Sequence, residues 1–557
     1  MKKVMAQFVD LCRPFWGGKR SWQAWLLLLV TISMGGMIVY LNVLLNEWSK
    51  TFYDALGAFD SNLLLSLMKE YGVYILLYIG SIVYQEWFTK LLIIRWRTAL
   101  TAELVDSWLA KRAFYRMSVA GKIDNPDQRI AEDINLFVDK AVSLVIEFLI
   151  VTARLFSFVV ILWGLSGVQR FTLFGKEWVI EGYLVWIAIL YTLLGSLITH
   201  VVGKRLHNIN YEKQKAEADF RAALLRKHDN AEQIALYGGE AQEKSHLQRH
   251  FSAIVSNWGR FMNAERNLGF FTTGYMRVSQ IVPIFAALPA FLSKTVTLGG
   301  LMQIRGAFAQ VHGALSWFIH KYKEFVILSA SMARLSQFKE EIKRHQSEQV
   351  DAPVGQDLRI DQLSFTTPQG SPLLQHVDLS CEAGSWSKFA GRSGLGKSTL
   401  LRTLNGLWPY YDGRWQAPEG RSLLLPQQSY LGQGTLAEIL CYPHPPLADS
   451  EMLRQTLDSV GLGAWRDRLD EQLNWDRVFS GGERQRVAFA RALIAKPDTL
   501  YLDEATSNLD HDAARQLLAL VKMALPACTV VAITHQTELD DLFSHRYDLT
   551  DFASQRS

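Results

Sequence analysis

The stretch GRSGLGKST, residues 391–399, sets how the rest of the chain is read. Gly391, Gly396, Lys397 and Ser398 have the spacing of a phosphate-binding loop that turns from a strand into a helix, and Ser393, Gly394 and Thr399 complete it. Glycines let successive backbone N–H groups face a polyphosphate, and the following helix aims its positive end at the same point. Lys397 would reach the β- and γ-phosphates of a nucleotide, and Ser398 would hold Mg²⁺. A motif this short also arises by chance, so its surroundings carry the argument.

Downstream, LLLPQQSYL (423–431) places Gln427 after a short apolar strand, and VVAITHQ (530–536) places His535 after another. Between them, TLYLDEATSNLD (499–510) ends a hydrophobic strand in Asp503 and Glu504. Asp503 would be a second Mg²⁺ contact, direct or through water, and Glu504 would polarise an attacking water as general base. FSGGERQRVAFARAL (479–493) precedes that strand. Short apolar strands alternating with helical stretches predict an α/β domain from residue 357 onward.

Upstream, the composition changes. The 557 residues are 49% apolar and 20% charged, too greasy for one soluble domain and too charged for a wholly membrane-embedded one, so a divided chain is expected. A net charge of +4 gives no reason to expect a nucleic acid partner. Cys12, Cys381, Cys441 and Cys528 are spaced for neither a metal nor a disulfide framework, which suits free thiols in a reducing compartment. Six segments are apolar enough, with falling clarity, to cross a bilayer as helices: about 24–45, 71–94, 142–165, 183–202, 269–291 and 301–325. The last is the weakest, because it carries Arg305, His312, His320 and Lys321. The first is too long for a signal-peptide core and no small-residue cleavage site follows it, so it reads as a retained span.

Basic, longer loops alternate with short ones, which puts both termini in the cytosol. The helical pattern of residues 212–237 implies that the spans continue well beyond the bilayer. The expected organisation is a transmembrane domain at 1–340, a polar linker at 341–356 and an α/β nucleotide domain at 357–557, with nothing appended after it.

In this order, the motifs from about 355 to 557 resemble the ATP-binding cassette family. The resemblance implies ATP hydrolysis with Mg²⁺ held by Ser398, Gln427 and Asp503, and it assigns His535 to the γ-phosphate. It also implies that Ser480, Gly481, Gly482 and Glu483 cap the γ-phosphate on a second cassette, with Asp510 at the seam. One cassette per chain then implies a homodimer with two composite sites. Many cassettes carry an aromatic residue ahead of the loop to stack on adenine; here Thr367 occupies that place and Phe365 is the alternative.

Six helices before a cassette resemble the exporter-type ABC fold. KIDNPDQRIAEDI (122–134), EADFR (217–221), AEQIALYGGEAQE (231–243), TLGGLMQ (297–303), LNGLWP (404–409) and NWDRVFSGGERQR (474–486) narrow the likeness. Together they look like the peroxisomal fatty-acyl half-transporters and their bacterial relatives of the YddA type, with a membrane half related to the SbmA/BacA peptide-uptake proteins. That resemblance implies an ATP-driven translocase of the bacterial inner membrane. Its cargo would be of the long-chain acyl type or a hydrophilic solute such as a peptide or cobalamin, with direction open. The competing expectation is a membrane-bound regulator or gated channel that uses the cassette as a switch; a complete catalytic set, Glu504 and His535 included, weighs against it.

In the membrane half, Asn125, Asp127, Arg129 and Glu132 read as a capped, solvated helix start. A cytosolic helix there would also suit coupling to the cassette. Glu232 and Glu243 flank Gly238 and Gly239, which break a helix as a docking elbow would. Charges within spans mark a pathway or a pair, unless they snorkel to the headgroups. Glu147 and Arg154 are seven residues apart and share a helix face; Arg277, Gln303, Arg305 and His312 complete a candidate cavity whose arginines would favour anionic or hydrophilic solutes.

Overall fold

The computed structural model describes residues 2–18, 21–121, 125–173, 176–347, 353–446 and 449–553. The chain forms two compact units: Met1–Glu103 with Asp127–Ser336, and Leu104–Pro126 with Gln337–Ser557.

The first unit is built on long helices. After α1 (Lys2–Trp16) come α2 (Ser21–Gly57) and α3 (Ser61–Leu109). The next helix of the second unit is α4 (Ala113–Ala120). Back in the first unit, α5 runs over Pro126–Ser166, its start wound wider as a π-turn at Arg129–Asp133. It is followed by α6 (Tyr183–Asp229), α7 (Ala231–Tyr237), α8 (Glu240–Leu292) and α9 (Leu298–Ser347). At 1.5 Å per residue a bilayer needs about 20 residues, and α2, α3, α5, α6, α8 and α9 all exceed that.

The helices containing α2, α3, α5 and α8 carry a stretch apolar enough to cross a membrane, while α6 has a shorter apolar run at Tyr183–Thr199. The segment expected as a sixth span is a continuous helix, α9, but lacks such a stretch among the described residues. Its interior face is nonetheless apolar. Leu301, Ile304, Ala307, Phe308 and Val311 recur at helical spacing and pack with Phe158, Leu162, Leu184, Ala188 and Ala287. The start of α9 explains the TLGGLMQ motif: the Gly299 N–H donates to Asp54 Oδ1 at 2.8 Å, and any Cβ there would lie 2.0 Å from the Lys50 carbonyl oxygen.

Two boundaries differ from expectation. The loop at 166–182 forms an antiparallel hairpin, β1 (Val168–Leu173) with β2 (Lys176–Glu181), in register Val168↔Glu181. The polar segment read as linker from residue 341 is still helical to Ser347, because α9 buries Ile342 and His345 on one face.

The second unit holds a parallel sheet in the order β11-β6-β10-β9-β8, comprising β6 (Trp386–Ala390), β8 (Ser422–Leu425), β9 (Thr499–Asp503), β10 (Thr529–Ile533) and β11 (His545–Asp548). Every residue of β9 and β10 is buried, as expected for strands covered on both faces. A second sheet has the order β3-β7-β4-β5: β3 (Val354–Gly355), β4 (Leu358–Thr366), β5 (Pro372–Cys381) and β7 (Tyr411–Pro418). Helix α10 (Lys397–Leu404) contributes Leu400, Leu401 and Leu404 to the apolar layer shared with Phe365, Val377, Phe389 and Val531. The remaining helices are α11 (Leu436–Cys441), α12 (Ser450–Ser459), α13 (Trp475–Val478), α14 (Gly481–Ala495) and α15 (His511–Ala524), packed around a second core that includes Trp475 and Phe489.

Candidate nucleotide site and coupling elements

The phosphate loop leaves β6 and enters α10. Gly391, Gly394 and Gly396 have φ of 143°, 77° and 102°, a region that disfavours a side chain. Gly396 is also sterically closed: a Cβ would lie 3.1 Å from Leu373 Cβ and 3.2 Å from Phe365 Cε2. Lys397, 6% exposed, folds over its own loop and donates to the carbonyls of Gly391 (2.7 Å) and Arg392 (3.0 Å). Burial pushes its ammonium below the ordinary lysine range, more than nearby Glu504 and Asp503 hold it up. Ser393 is exposed on the loop and Thr399 lies inside α10.

The end of β9 brings the carboxylates to this loop. Ser398 Oγ donates to Asp503 Oδ1 at 2.7 Å. Glu504 lies just past the strand with φ 51°, its N–H bonded to the Ile533 carbonyl on β10 at 2.9 Å. Its two side-chain oxygens have different partners. Gln427 Nε2 donates to Oε2 at 2.8 Å, and His535 Nε2 lies 3.3 Å from Oε1. Three strands that are neighbours in the sheet thus deliver Gln427, Glu504 and His535 to one point. Ser398 and Asp503 supply two hard oxygen donors and Gln427 an amide oxygen, a donor set that fits Mg²⁺ completed by phosphate oxygens and water.

Ser480 and Glu483 form a reciprocal cap on α14. Ser480 Oγ accepts from the Glu483 N–H at 3.3 Å, and Glu483 Oε2 accepts from the Ser480 N–H at 2.9 Å. Gly481 and Gly482 have a local reason to be glycine: added Cβ atoms would lie 3.2 Å from Asn508 Nδ2 and 3.1 Å from the Asn508 carbonyl oxygen. Asp510 caps α15 through Oδ1 and the Ala513 N–H at 2.7 Å. Among the described residues no hydrogen bond joins Ser480 to the phosphate loop of the same chain.

Two corrections concern this region. Phe365 is 1% exposed and packs under Gly396, so it has no face to offer a base. Thr367 closes a turn with Gly370 and Ser371. A residue the motif reading passed over is Gln485, also 1% exposed. It donates to Ser507 Oγ at 3.1 Å and accepts from the Asn508 N–H at 3.0 Å, tying α14 to the loop after Glu504. The signal was a glutamine on the otherwise apolar buried face of an amphipathic helix.

The coupling candidates separate. Among the described residues, α4, which no motif singled out, packs on the cassette. Lys111 and Arg112 both have positive φ, 53° and 58°, and turn the chain sharply after α3. Val119 then packs against the layer between the two sheets, and Arg112 Nη1 donates to the Asn405 carbonyl at 3.1 Å. Arg116, 2% exposed, donates to the His345 carbonyl at 2.9 Å. Asn125 is exposed with φ 55°, Asp127 sits in the first turn of α5, and Glu132 accepts from Gln128 Nε2 at 3.0 Å. Arg129 instead binds Asp133 at 2.7 Å, and Asp133 also takes Arg334 Nε at 2.8 Å. In the second loop, α7 is a seven-residue helix whose first turn holds Glu232, and it ends at Gly238, φ 61°. Leu236 and Tyr237 at its tip are 78% and 88% exposed, and Glu243 pairs with Lys227 behind it.

The cavity candidates do not converge on one point. Glu147 pairs with Lys321 at 2.9 Å and accepts from Trp317 Nε1 at 2.9 Å, so its partner is on α9 and not Arg154 on its own helix. Facing-helix geometry overrides spacing along one helix here. Arg154 Nε is buried without a hydrogen-bond partner among the described residues. His312 Nε2 lies 2.9 Å from Tyr275 Oη, beside the stacked rings of Tyr191 and Tyr275. Gln303 is buried and its carbonyl accepts from Asn46 Nδ2 at 3.1 Å, while Arg277 and Arg305 are exposed.

Long membrane helices followed by a cassette with its phosphate loop, carboxylates and capped signature helix define an ATPase coupled to transport. Residues 11–292 match the family described as ABC transporter transmembrane region 2, and residues 374–507 match the ABC transporter family. The chain is 36% identical over 539 residues to the inner membrane ABC transporter ATP-binding protein YddA of Escherichia coli K12, covering 96% of each. It is 29% identical to the chloroplastic ABC transporter D family member 2 of Arabidopsis thaliana, covering 97% of this chain and 85% of that one. It is 27% identical to the lysosomal cobalamin transporter ABCD4 of Mus musculus, covering 83% and 81%. In structure it is similar to a bacterial Atm1-family ABC exporter with ATP bound, with a TM-score of 0.70 at 16% identity over 95% of this chain and 94% of that one. The chain belongs to the ABC transporter family, as a half-transporter with the exporter fold.

Proposed function

We propose that two copies of this chain form a homodimeric transporter of the bacterial inner membrane. Each copy would hold ATP and Mg²⁺ on its own phosphate loop and cap the other's γ-phosphate with Ser480, Gly481 and Gly482. The observation that carries this reading is Glu504 held between Gln427 and His535, one strand end from Ser398 and Asp503. Glu504 accepts the proton of an attacking water, and His535 and Gln427 keep its carboxylate turned toward the γ-phosphate. Ser398, Asp503 and Gln427 would hold Mg²⁺, which would supply positive charge to the phosphates, and Lys397 would release its carbonyl contacts to add its own. Coupling runs through α4 on the same chain's cassette. It also runs through α7, whose exposed Leu236 and Tyr237 need a cover that the second copy's cassette supplies.

The cargo is an amphipathic or hydrophilic solute. The relative named as a lysosomal cobalamin transporter supports that class without choosing between acyl chains, peptides and cobalamin. The test uses purified protein in proteoliposomes, with ATP outside only and a labelled hydrophilic peptide trapped inside. ATP-dependent loss of peptide supports uptake toward the cassette side. Retention alongside normal hydrolysis moves the cargo to acyl chains. In either case Glu504→Gln is expected to cut hydrolysis about 100-fold or more while ATP still binds; unchanged hydrolysis in that variant would sink the catalytic assignment.

A further inference from the structure

The carboxylate of Glu483 is fully engaged, and not by its own helix alone. Oε2 accepts from both the N–H and the hydroxyl of Ser480, each at 2.9 Å. Oε1 accepts from the indole Nε1–H of Trp465 at 3.0 Å. Trp465 lies well outside the signature stretch and is fixed from several sides. Its ring packs edge-on against Phe479 at 5.1 Å and Trp475 at 5.8 Å, and the Arg468 guanidinium sits 5.0 Å over its face. Trp475 is in turn anchored by its Nε1–H to the Gly434 carbonyl at 3.2 Å. The indole N–H therefore points from a rigid aromatic cluster at one oxygen of one carboxylate.

This arrangement creates a conflict that the indole resolves. If Ser480 caps a γ-phosphate on the second copy, its hydroxyl must turn its proton from Glu483 to a phosphate oxygen. Oε2 would then keep only the Ser480 N–H, leaving a negative charge beside Ser480 and the phosphate it caps. Like charges so placed repel unless each is neutralised or held apart. A charge-assisted bond from Trp465 fixes Oε1 in place and offsets part of its charge. Burial raises the Glu483 carboxyl, but the Ser480 N–H, the Ser480 hydroxyl, the Trp465 indole and Arg486 together hold it below the ordinary range, so it stays ionised at neutral pH.

We infer that Trp465 is a positioning residue for ATP capping: through its indole N–H it holds the Glu483 carboxylate back so that Ser480 can give its hydroxyl to the γ-phosphate of the second copy. The inference rests on the composite-site reading above and adds to it a residue from outside the cassette motifs.

The test is a Trp465→Phe variant of the full chain, which keeps a ring against Phe479 and Trp475 and removes the N–H. Its KM for ATP is expected to rise about three- to tenfold, the worth of one charge-assisted hydrogen bond, with kcat changed much less. The same change in a Glu483→Gln background, where no carboxylate remains to be held, is expected to shift KM less than about twofold. A second readout does not need turnover. In a Glu504→Gln background, the ATP concentration that half-saturates cassette closure, followed by spin labels on the two copies, is expected to rise with Trp465→Phe by the same factor. An unchanged KM in Trp465→Phe overturns the inference. So does an equal rise with and without the Glu483 carboxylate, because that marks a packing effect. If Glu504→Gln alone leaves hydrolysis intact or no ATP-driven closure occurs, the composite-site reading itself has failed.

Discussion

Gly396 concentrates two constraints in one residue. Its φ of 102° disfavours any side chain, and the space a methyl would need is taken by Leu373 and Phe365. Gly396→Ala is expected to lower stability by about 1–3 kcal/mol and to abolish the rise in melting temperature that ATP gives the wild type; thermal shift with and without nucleotide checks both. Individual residues of the nucleotide site were largely legible because each motif carries its own chemistry: glycines for a cradle, a lysine and a serine for phosphate and Mg²⁺, a carboxylate pair at a strand end. Phe365 was not, since alternation along β4 alone does not say which face is core. Gln485 and Trp465 were not either, because neither belongs to a spacing rule. Their roles come from where helices pack.

At the scale of the element, the short helix α4 packs on the cassette without any motif having singled it out, and the helix start at residue 125 is organised around a buried carboxylate. Asp133, 2% exposed, is held by Arg129 and Arg334, so removing one partner leaves a buried carboxylate only half satisfied. Arg334→Ala is expected to cost about 3 kcal/mol, whereas Glu132→Ala, at an exposed position, is expected to cost less than about 0.5 kcal/mol; chemical denaturation of detergent-solubilised protein measures both. Val119 reaches the apolar layer of the cassette from α4. Val119→Asp is expected to reduce transport at least about tenfold through the cost of burying an unpaired carboxylate, with hydrolysis largely spared; parallel flux and ATPase assays separate the two. The long helices α2, α3, α5 and α8 were visible in hydropathy, α6 only through a shorter apolar run and α9 not by hydropathy alone. The positive-φ pair at Lys111 and Arg112 was not, because neither residue type announces a left-handed turn. The hairpin at 168–181 was read as a short loop, because its six-residue strands mix charged and apolar residues without a clear alternation.

For the whole molecule, division into a helical membrane half and an α/β cassette was readable from composition and motif order. The exact partition was not. The second unit takes Leu104–Pro126 from the middle of the membrane half, a long-range pairing that no linear boundary captures. A dimer with two shared sites is expected to hydrolyse ATP with a Hill coefficient above one, and doping wild type with excess Glu504→Gln copies is expected to remove more activity than dilution alone; steady-state ATPase titrations with mixed protomers test it, and strictly proportional loss would argue for independent cassettes.

The borrowed segment also sets an order in time. Leu104–Pro126 emerges from the ribosome early, yet the sheets it packs against are complete only after on the order of 400 further residues. At about 5–20 residues per second, that is a wait of about 20 to 90 seconds. Through that interval Val119 has no cassette to cover it, and the nascent membrane half must shelter α4 or hand it to a chaperone. Slowing translation between residues 126 and 337 should therefore harm the yield of folded transporter more than slowing it by the same amount within the first span.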